Sequence, residues 1–485
     1  MRIVRHSLLN LIGLGAPLLL ALYAIPVLLD GLGTARFGVL TLIWALVSYF
    51  GLFDLGVARA LTLKLAVSFE RHEDDDIGPL SGTALVLLGA VGALAGVGLA
   101  VGAMPLAGLL KGLPDLNEAA SSLGWMALAL PVTLLTAGLR GMLEARGAFG
   151  WINGIRLAMG LWTFLGPVAA LRAVGPDLAA IAAVLALGRV LGAAAHVVAV
   201  RWVIPQLRGR WRWRGDAARA LVHDSRWLLV SNLLGPFMGY ADRFIVGLFV
   251  PVAALAYYAT PQELVMKLWI LPGALTAVLF PALAAQIAQR DPLAARLCRQ
   301  ASLGLALALL PITLGLATFA HPLLAVWLGG PFADGAQGCL MVFSLGMFVT
   351  SLAQVPYTAL QSAGRAATAA KLHLAELPVF VVALCWAAAS VGYFAAAWVW
   401  LLRVVVDAVL LYVAASRLQL RGGEPLFDAG AMRLLALAPA GFLALLLPSP
   451  SLRAGAWLAV TLVCAALLLR GLQRRSKTMQ RFDTL

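Results

Sequence analysis

"GYADRFIVGLFVPVAALAYY", residues 239–258, decides how this chain is read. Most of the stretch is apolar enough to lie in a membrane, yet Asp242 and Arg243 sit side by side within it. Ionisable groups inside a bilayer are costly and rare, and they mark functional sites by default. Adjacent residues on a helix point to different sides, so these two cannot simply neutralise each other. Each needs a partner elsewhere or a watery cavity.

The surrounding sequence makes the membrane reading secure. Of 485 residues, 62% are hydrophobic and 12% charged, with a mean hydropathy of +0.92. A soluble domain carries about 25% charged residues. Apolar runs of membrane-spanning length recur along the whole chain, which defines an all-α, polytopic integral membrane protein. The net charge of +14 then requires no nucleic acid, because cations flanking the spans account for it.

The expected spans are 8–29, 37–58, 80–104, 121–143, 153–173, 178–200, 227–250, 256–279, 301–327, 338–361, 371–390, 394–415, 433–448 and 454–471, about fourteen in all. The first begins basic, like a signal peptide, but its apolar part runs nearly unbroken from Leu8 to Leu29. That exceeds the roughly 7–15 residues of a signal core, so it is read as an uncleaved span. An even number of spans puts both termini on one side. One set of loops and tails carries 28 Lys and Arg; the other carries only Arg36, Lys111, Arg172 and Arg453. The positive-inside rule therefore predicts cytoplasmic termini. Outer loops are short. The segment "QLRGRWRWRGDAARALVHDSR", 206–226, interleaves Trp211 and Trp213 with arginines and reads as an interfacial cytoplasmic linker. The acidic run "ERHEDDD", 70–76, reads as a solvated loop. The four cysteines and six histidines have no metal or redox spacing, and no cofactor is expected.

A weak repeat divides the chain. "AMPLAGLLKG" at 103–112 resembles "AHPLLAVWLG" at 320–329, and "LEARG" at 143–147 resembles "LQSAG" at 360–364. Val174-Gly175 matches Val391-Gly392. In each case the offset is 217, as in 364 − 147. Spans 1–6 and 7–12 are thus expected to be two copies of a six-helix unit in the same orientation. The expected domains are 1–205, a linker at 206–226, a second lobe at 227–416, and two extra helices with a basic tail at 417–485. Parallel repeats of this kind occur in alternating-access transporters.

Four cations fall inside spans, away from their ends: Arg189, Arg243, Lys267 and Arg403. Glu263 and Lys267 share a helix face at i,i+4, as do Arg403 and Asp407. Arg189 has His196 two turns on along its own face. Asp242, Arg243, Glu263 and Lys267 all lie in the outer halves of their spans and are expected to form one cluster. The plain alternative is an ion-pair network that only holds helices together. The functional alternative is a cationic cavity, since the Arg fork suits phosphate oxygens.

These residues carry a resemblance. "DRFIVGLFVPVAALAYYATPQEL" is similar to the span 7–8 signature of the polysaccharide-transport (Wzx-type) flippases. Gly33, Phe37 and Gly38 match a further element of that family; so do Asp54, Leu55 and Gly56. "LQSAGRAATAAKLHLAELP" resembles its span 10–11 joint. The chain departs at Ala256, where the family usually has Gly before Tyr-Tyr. The likeness covers most of residues 1–416.

The resemblance implies the multidrug/oligosaccharidyl-lipid/polysaccharide exporter superfamily and a V-shaped pair of six-helix lobes. It implies translocation of a polyprenyl-diphosphate-linked oligosaccharide across a bacterial inner membrane, alongside membrane lipid and other polysaccharide-assembly proteins. On this reading Arg189, Arg243, Lys267 and Arg403 offset the diphosphate. Asp242, Glu263 and Asp407 balance them or carry a coupling H+ or Na+, and Asp54 and Arg59 are cytoplasmic gate candidates. A drug exporter of the same superfamily would make poor use of the cations. A lipid II flippase would want an Arg in span 1, which is absent. A membrane glycan polymerase or ligase would want a substantial outer loop with catalytic residues.

Overall fold

The structure is a computed structural model describing residues 2–50, 56–207, 211–289, 291–418, 426–427, 443–447 and 449–482. Side chains are described from residue 19 on, except at 224–240, 444, 446 and 471–482. Regular structure among the described residues is helical, with one isolated β-bridge, Lys111 to Pro251.

The chain forms two compact units, Met1–Ala256 and Tyr257–Leu485. The first holds α1 (Arg2–Phe50), α2 (Val57–Glu70), α3 (Asp74–Leu109), α4 (Leu116–Ala145), α5 (Phe149–Val174), α6 (Leu178–Val203) and α7 (Gly215–Phe249). α8 (Val252–Met266) begins in the first unit and continues into the second. The second holds α9 (Ile270–Ala288), α10 (Leu293–Thr318), α11 (Ala320–Leu328), α12 (Gly330–Ser362), α13 (Ala366–Ser390), α14 (Tyr393–Ser416) and α15 (Pro450–Phe482).

Eleven helical segments among the described residues are long and apolar enough to cross a membrane. The expected fourteen differ for three reasons. Spans 1 and 2 run together in α1, which bends at Gly33 (φ 74°, ψ 164°) instead of opening a loop. α7 covers span 7, but much of it has no described side chains. Most of 433–448 lies outside the described residues. The expected end of span 2 falls on residues 51–55, outside the described residues, and α2 begins at Val57.

Proline sets the other breaks. Span 8 is two helices joined by a 3₁₀ turn at Lys267–Trp269, because Pro272 cannot donate to the Leu268 carbonyl. Span 9 likewise breaks at Phe319, three residues before Pro322.

The two units repeat one order of neighbours. In the first, α4 lies against α3, α6 and α2, and α6 against α5. In the second, α12 lies against α10, α14 and α9, and α14 against α13. The chain reversals repeat as well. Gly147 N–H donates to Glu144 O and Ala148 N–H to Leu143 O; Gly364 N–H donates to Gln361 O and Arg365 N–H to Leu360 O. Both are helix ends closed by a left-handed glycine, at φ 69° and φ 72°.

Contacts at helix ends join segments expected on the same membrane side. Arg36 Nε donates to both oxygens of Glu118 at 2.9 Å, and Glu118 Oε1 also accepts the Leu178 N–H at 2.6 Å. Lys111 donates to Phe249 O at 3.2 Å. At the other end, Arg214 bridges Asp76 at 2.7 Å, and the Arg214 N–H donates to Thr83 Oγ1 at 2.9 Å. The acidic run is exposed at 70–75 with a turn at 71–72, but Asp74–Asp76 form the first turn of α3, and Asp76 anchors the linker.

Candidate functional site

In the first unit, Asp242 and Arg243 are buried, at 0% and 3% exposure. They lie on α7 beside Phe244, whose ring packs edge-on against Tyr49 of α1 at 5.4 Å. The Arg243 backbone N–H donates to Asp242 Oδ1 at 2.9 Å, and both residues have further partners. The glycines of the neighbouring α1 explain why a sequence motif sits there. Gly33 holds the bend, and a Cβ on Gly38 would lie 1.8 Å from Val252 O. Only glycine allows α1 to cross the α7–α8 turn so closely.

Arg189 and His196, expected on one face of α6, do share one environment. Both line a cavity of about 190 Å³ with Arg140, Arg156, Thr133 and Thr136. Arg189 Nε is buried without a hydrogen-bond partner. His196 is 6% exposed and donates Nδ1–H to Gly192 O at 2.8 Å, which leaves Nε2 available.

In the second unit, Glu263 on α8 and Lys267 at the start of the 3₁₀ turn form the expected ion pair. Arg403 and Asp407 lie on α14, and the structure adds partners from α12 and α13. His373 Nε2 lies 3.0 Å from Asp407 Oδ1, and its ring stacks on Tyr357 with centroids 5.9 Å apart. Glu376 is buried beside them, neither carboxyl oxygen having a hydrogen-bond partner. The Arg403 guanidinium lies over the Phe380 ring at 5.5 Å. Two carboxyls, an imidazole, a guanidinium and a phenol thus share one largely buried neighbourhood, which can exchange a proton.

The expected single cluster of Asp242, Arg243, Glu263 and Lys267 distributes over both units: the first two residues belong to one and the last two to the other. Of the gate candidates, Asp54 lies outside the described residues, and Arg59 is exposed on α2. Arg214, at the start of α7, is held above the ordinary Arg range chiefly by its hydrogen bond to Asp76, so it stays charged at any accessible pH. Among the described residues, no group of three or more His, Cys, Asp or Glu is placed to hold a metal ion.

Sequence reasoning missed His373, Glu376 and Tyr357. A signal existed, since His373 and Glu376 are i,i+3 on one helix face and inside a span. It also read Arg140 and Arg156 only as topology signals, because each stands near a span end.

Residues 32–337 match the family described as polysaccharide biosynthesis protein. A "Putative O-antigen transporter" of Shigella flexneri is 28% identical over 421 residues, covering 86% of this chain and 99% of that one. Among solved structures, the lipid II flippase MurJ in an inward closed conformation matches with a TM-score of 0.71 at 11% identity, covering 97% of this chain and 99% of that one. An inward-facing MATE family multidrug resistance transporter of the MOP superfamily matches with a TM-score of 0.68 at 12% identity, covering 88% and 99%. At those identities the two structures establish the fold.

Proposed function

This chain belongs to the polysaccharide biosynthesis protein family, and on that premise we propose that it flips a polyprenyl-diphosphate-linked oligosaccharide across the bacterial inner membrane. It is a multi-pass membrane transporter and not an enzyme. The observation that carries the reading is the match along nearly the full length of an O-antigen transporter relative. The physical need is plain. A glycan head with a diphosphate will not cross hydrocarbon unaided, because burying unpaired polar groups and charges is expensive. Cations within the spans lower that cost, while the lipid tail stays in the bilayer.

In this proposal Arg189, Arg243, Lys267 and Arg403 offset the diphosphate and any acidic sugars. Asp242, Glu263 and Asp407 balance these charges, and Asp407 with His373 and Glu376 carries the coupling proton. The termini face the cytoplasm, and other polysaccharide-assembly membrane proteins receive the product. The preponderance of cations on one set of loops supports that orientation.

The test uses membranes from a deletion strain. A membrane-impermeant sugar-modifying reagent reports which leaflet holds the polyprenyl-linked oligosaccharide. We expect accumulation facing the cytoplasm, relieved by the wild-type gene and not by an equally expressed Arg243→Ala. Normal export without the gene would end this reading.

A further inference from the structure

The most informative feature outside the sequence expectations lies between α5 and α6. A cleft of about 620 Å³ runs there, lined mainly by apolar residues. Its floor is made of small residues: Gly150, Gly154 and Ala158 on α5, and Gly188, Gly192 and Ala195 on α6. Trp162 on α5 closes part of it, with the indole N–H fixed to Val184 O at 2.8 Å. Next to the cleft is the cavity of about 190 Å³ lined by Arg140, Arg156, Arg189 and His196. The two spaces adjoin: Ile155, Met159 and Gly192 line both.

The charges in the cavity are not balanced by protein. Glu144 bridges Arg140 at 3.3 Å. Among the described residues, Arg156 and Arg189 have no ion-pair partner, and Arg189 Nε is buried and unbonded. Three guanidinium groups against one carboxylate leave 3 − 1 = 2 positive charges. The Thr133 and Thr136 hydroxyls donate to Ala129 O and Val132 O, so the cations are the donors free for a ligand. At about 30 Å³ per water the cavity holds on the order of six waters, room for phosphate groups and not for an oligosaccharide.

We propose that cleft and cavity are one bipartite site for a polyprenyl diphosphate: the isoprenoid chain lies in the α5–α6 cleft, and the diphosphate sits on Arg189, Arg156 and Arg140. Charge selects this lipid. A sugar-bearing diphosphate diester carries two negative charges, equal to the uncompensated charge of the cavity; a phosphodiester phospholipid such as phosphatidylglycerol carries one. Preferring the exported lipid to a bilayer lipid rests on the flippase reading above.

The experiment measures binding to the purified full-length protein in nanodiscs, by native mass spectrometry. The probes are a polyprenyl diphosphate, inorganic pyrophosphate and phosphatidylglycerol. Arg156→Gln and Arg189→Gln should weaken polyprenyl diphosphate and pyrophosphate alike, by about ten-fold or more for each lost charge-assisted contact. Gly154→Leu, which fills the cleft where a Cβ meets nothing within 4 Å, should weaken the polyprenyl probe and leave pyrophosphate unchanged. Arg156 is exposed at the cavity rim, so its variant keeps the fold even if Arg189→Gln does not. Undiminished polyprenyl binding in Arg156→Gln and Gly154→Leu would overturn the site. Equal binding and full displacement by phosphatidylglycerol would overturn the choice of lipid. Binding as expected, with normal export in the deletion strain, would keep the site and remove the flippase reading.

Discussion

At the scale of single residues, glycine carries more of the architecture than any charged group. Gly112, Gly147 and Gly175 have φ of 69°, 69° and 89°; their partners 217 residues on, Gly329, Gly364 and Gly392, have φ of 88°, 72° and 107°. The repeat survives in sequence at these points because a residue with a Cβ is strained in the left-handed region. Gly147→Val and Gly364→Val should each destabilise by about 1–2 kcal/mol, read as an earlier thermal unfolding of the purified protein. Gly304, inside α10 with ordinary dihedrals and open space around it, is the opposite case. Gly304→Ala should stabilise by roughly 0.5–1 kcal/mol, and a loss there would contradict the packing described. Residue identity also revealed the ionisable groups within spans. It did not reveal that Asp407 is met by His373, because that neighbour comes from another helix.

At the scale of elements, two polar ties organise the ends of the first unit. Glu118 on α4 receives Arg36 from α1 and the Leu178 N–H from α6. With a side chain 12% exposed, it cannot be replaced readily by water. Glu118→Ala should cost about 1.5–3 kcal/mol for the lost bonds to a charged group, and a melting curve unchanged from wild type would refute the tie. The second is Arg214 with Asp76, which fastens the linker to α3. Both partners are about two-fifths exposed, so little stability rests on it. Its effect is geometric. Asp76→Arg should expose the 211–214 segment to trypsin, and the Asp76→Arg/Arg214→Asp double variant should restore protection. Helix existence and much of the proline punctuation were legible in sequence, because apolar runs and missing N–H groups are local properties. The bend at Gly33 was not, since only the packed structure shows that no loop separates the first two spans.

At the scale of the whole molecule, cation distribution and end contacts agree. Arg36 meets Glu118, Lys111 meets Phe249 O, and Arg214 meets Asp76, always between segments expected on one membrane side. Single cysteines in a Cys385→Ser background test the orientation, the other native thiols being buried. Glu70→Cys should be protected from an impermeant maleimide in intact spheroplasts, and Asp115→Cys labelled. The reverse pattern would invert the proposed topology. The sequence by itself determined the membrane class, the 217-residue repeat and the sidedness expectation, because hydropathy, glycine dihedral demands and charge counts act residue by residue. Only the tertiary structure decided which charges meet. It set Arg140 and Arg156 beside Arg189 next to an apolar cleft, and His373 and Glu376 beside Asp407. Those groups come from different helices, and their proximity depends on how helices pack, which no spacing along one chain encodes.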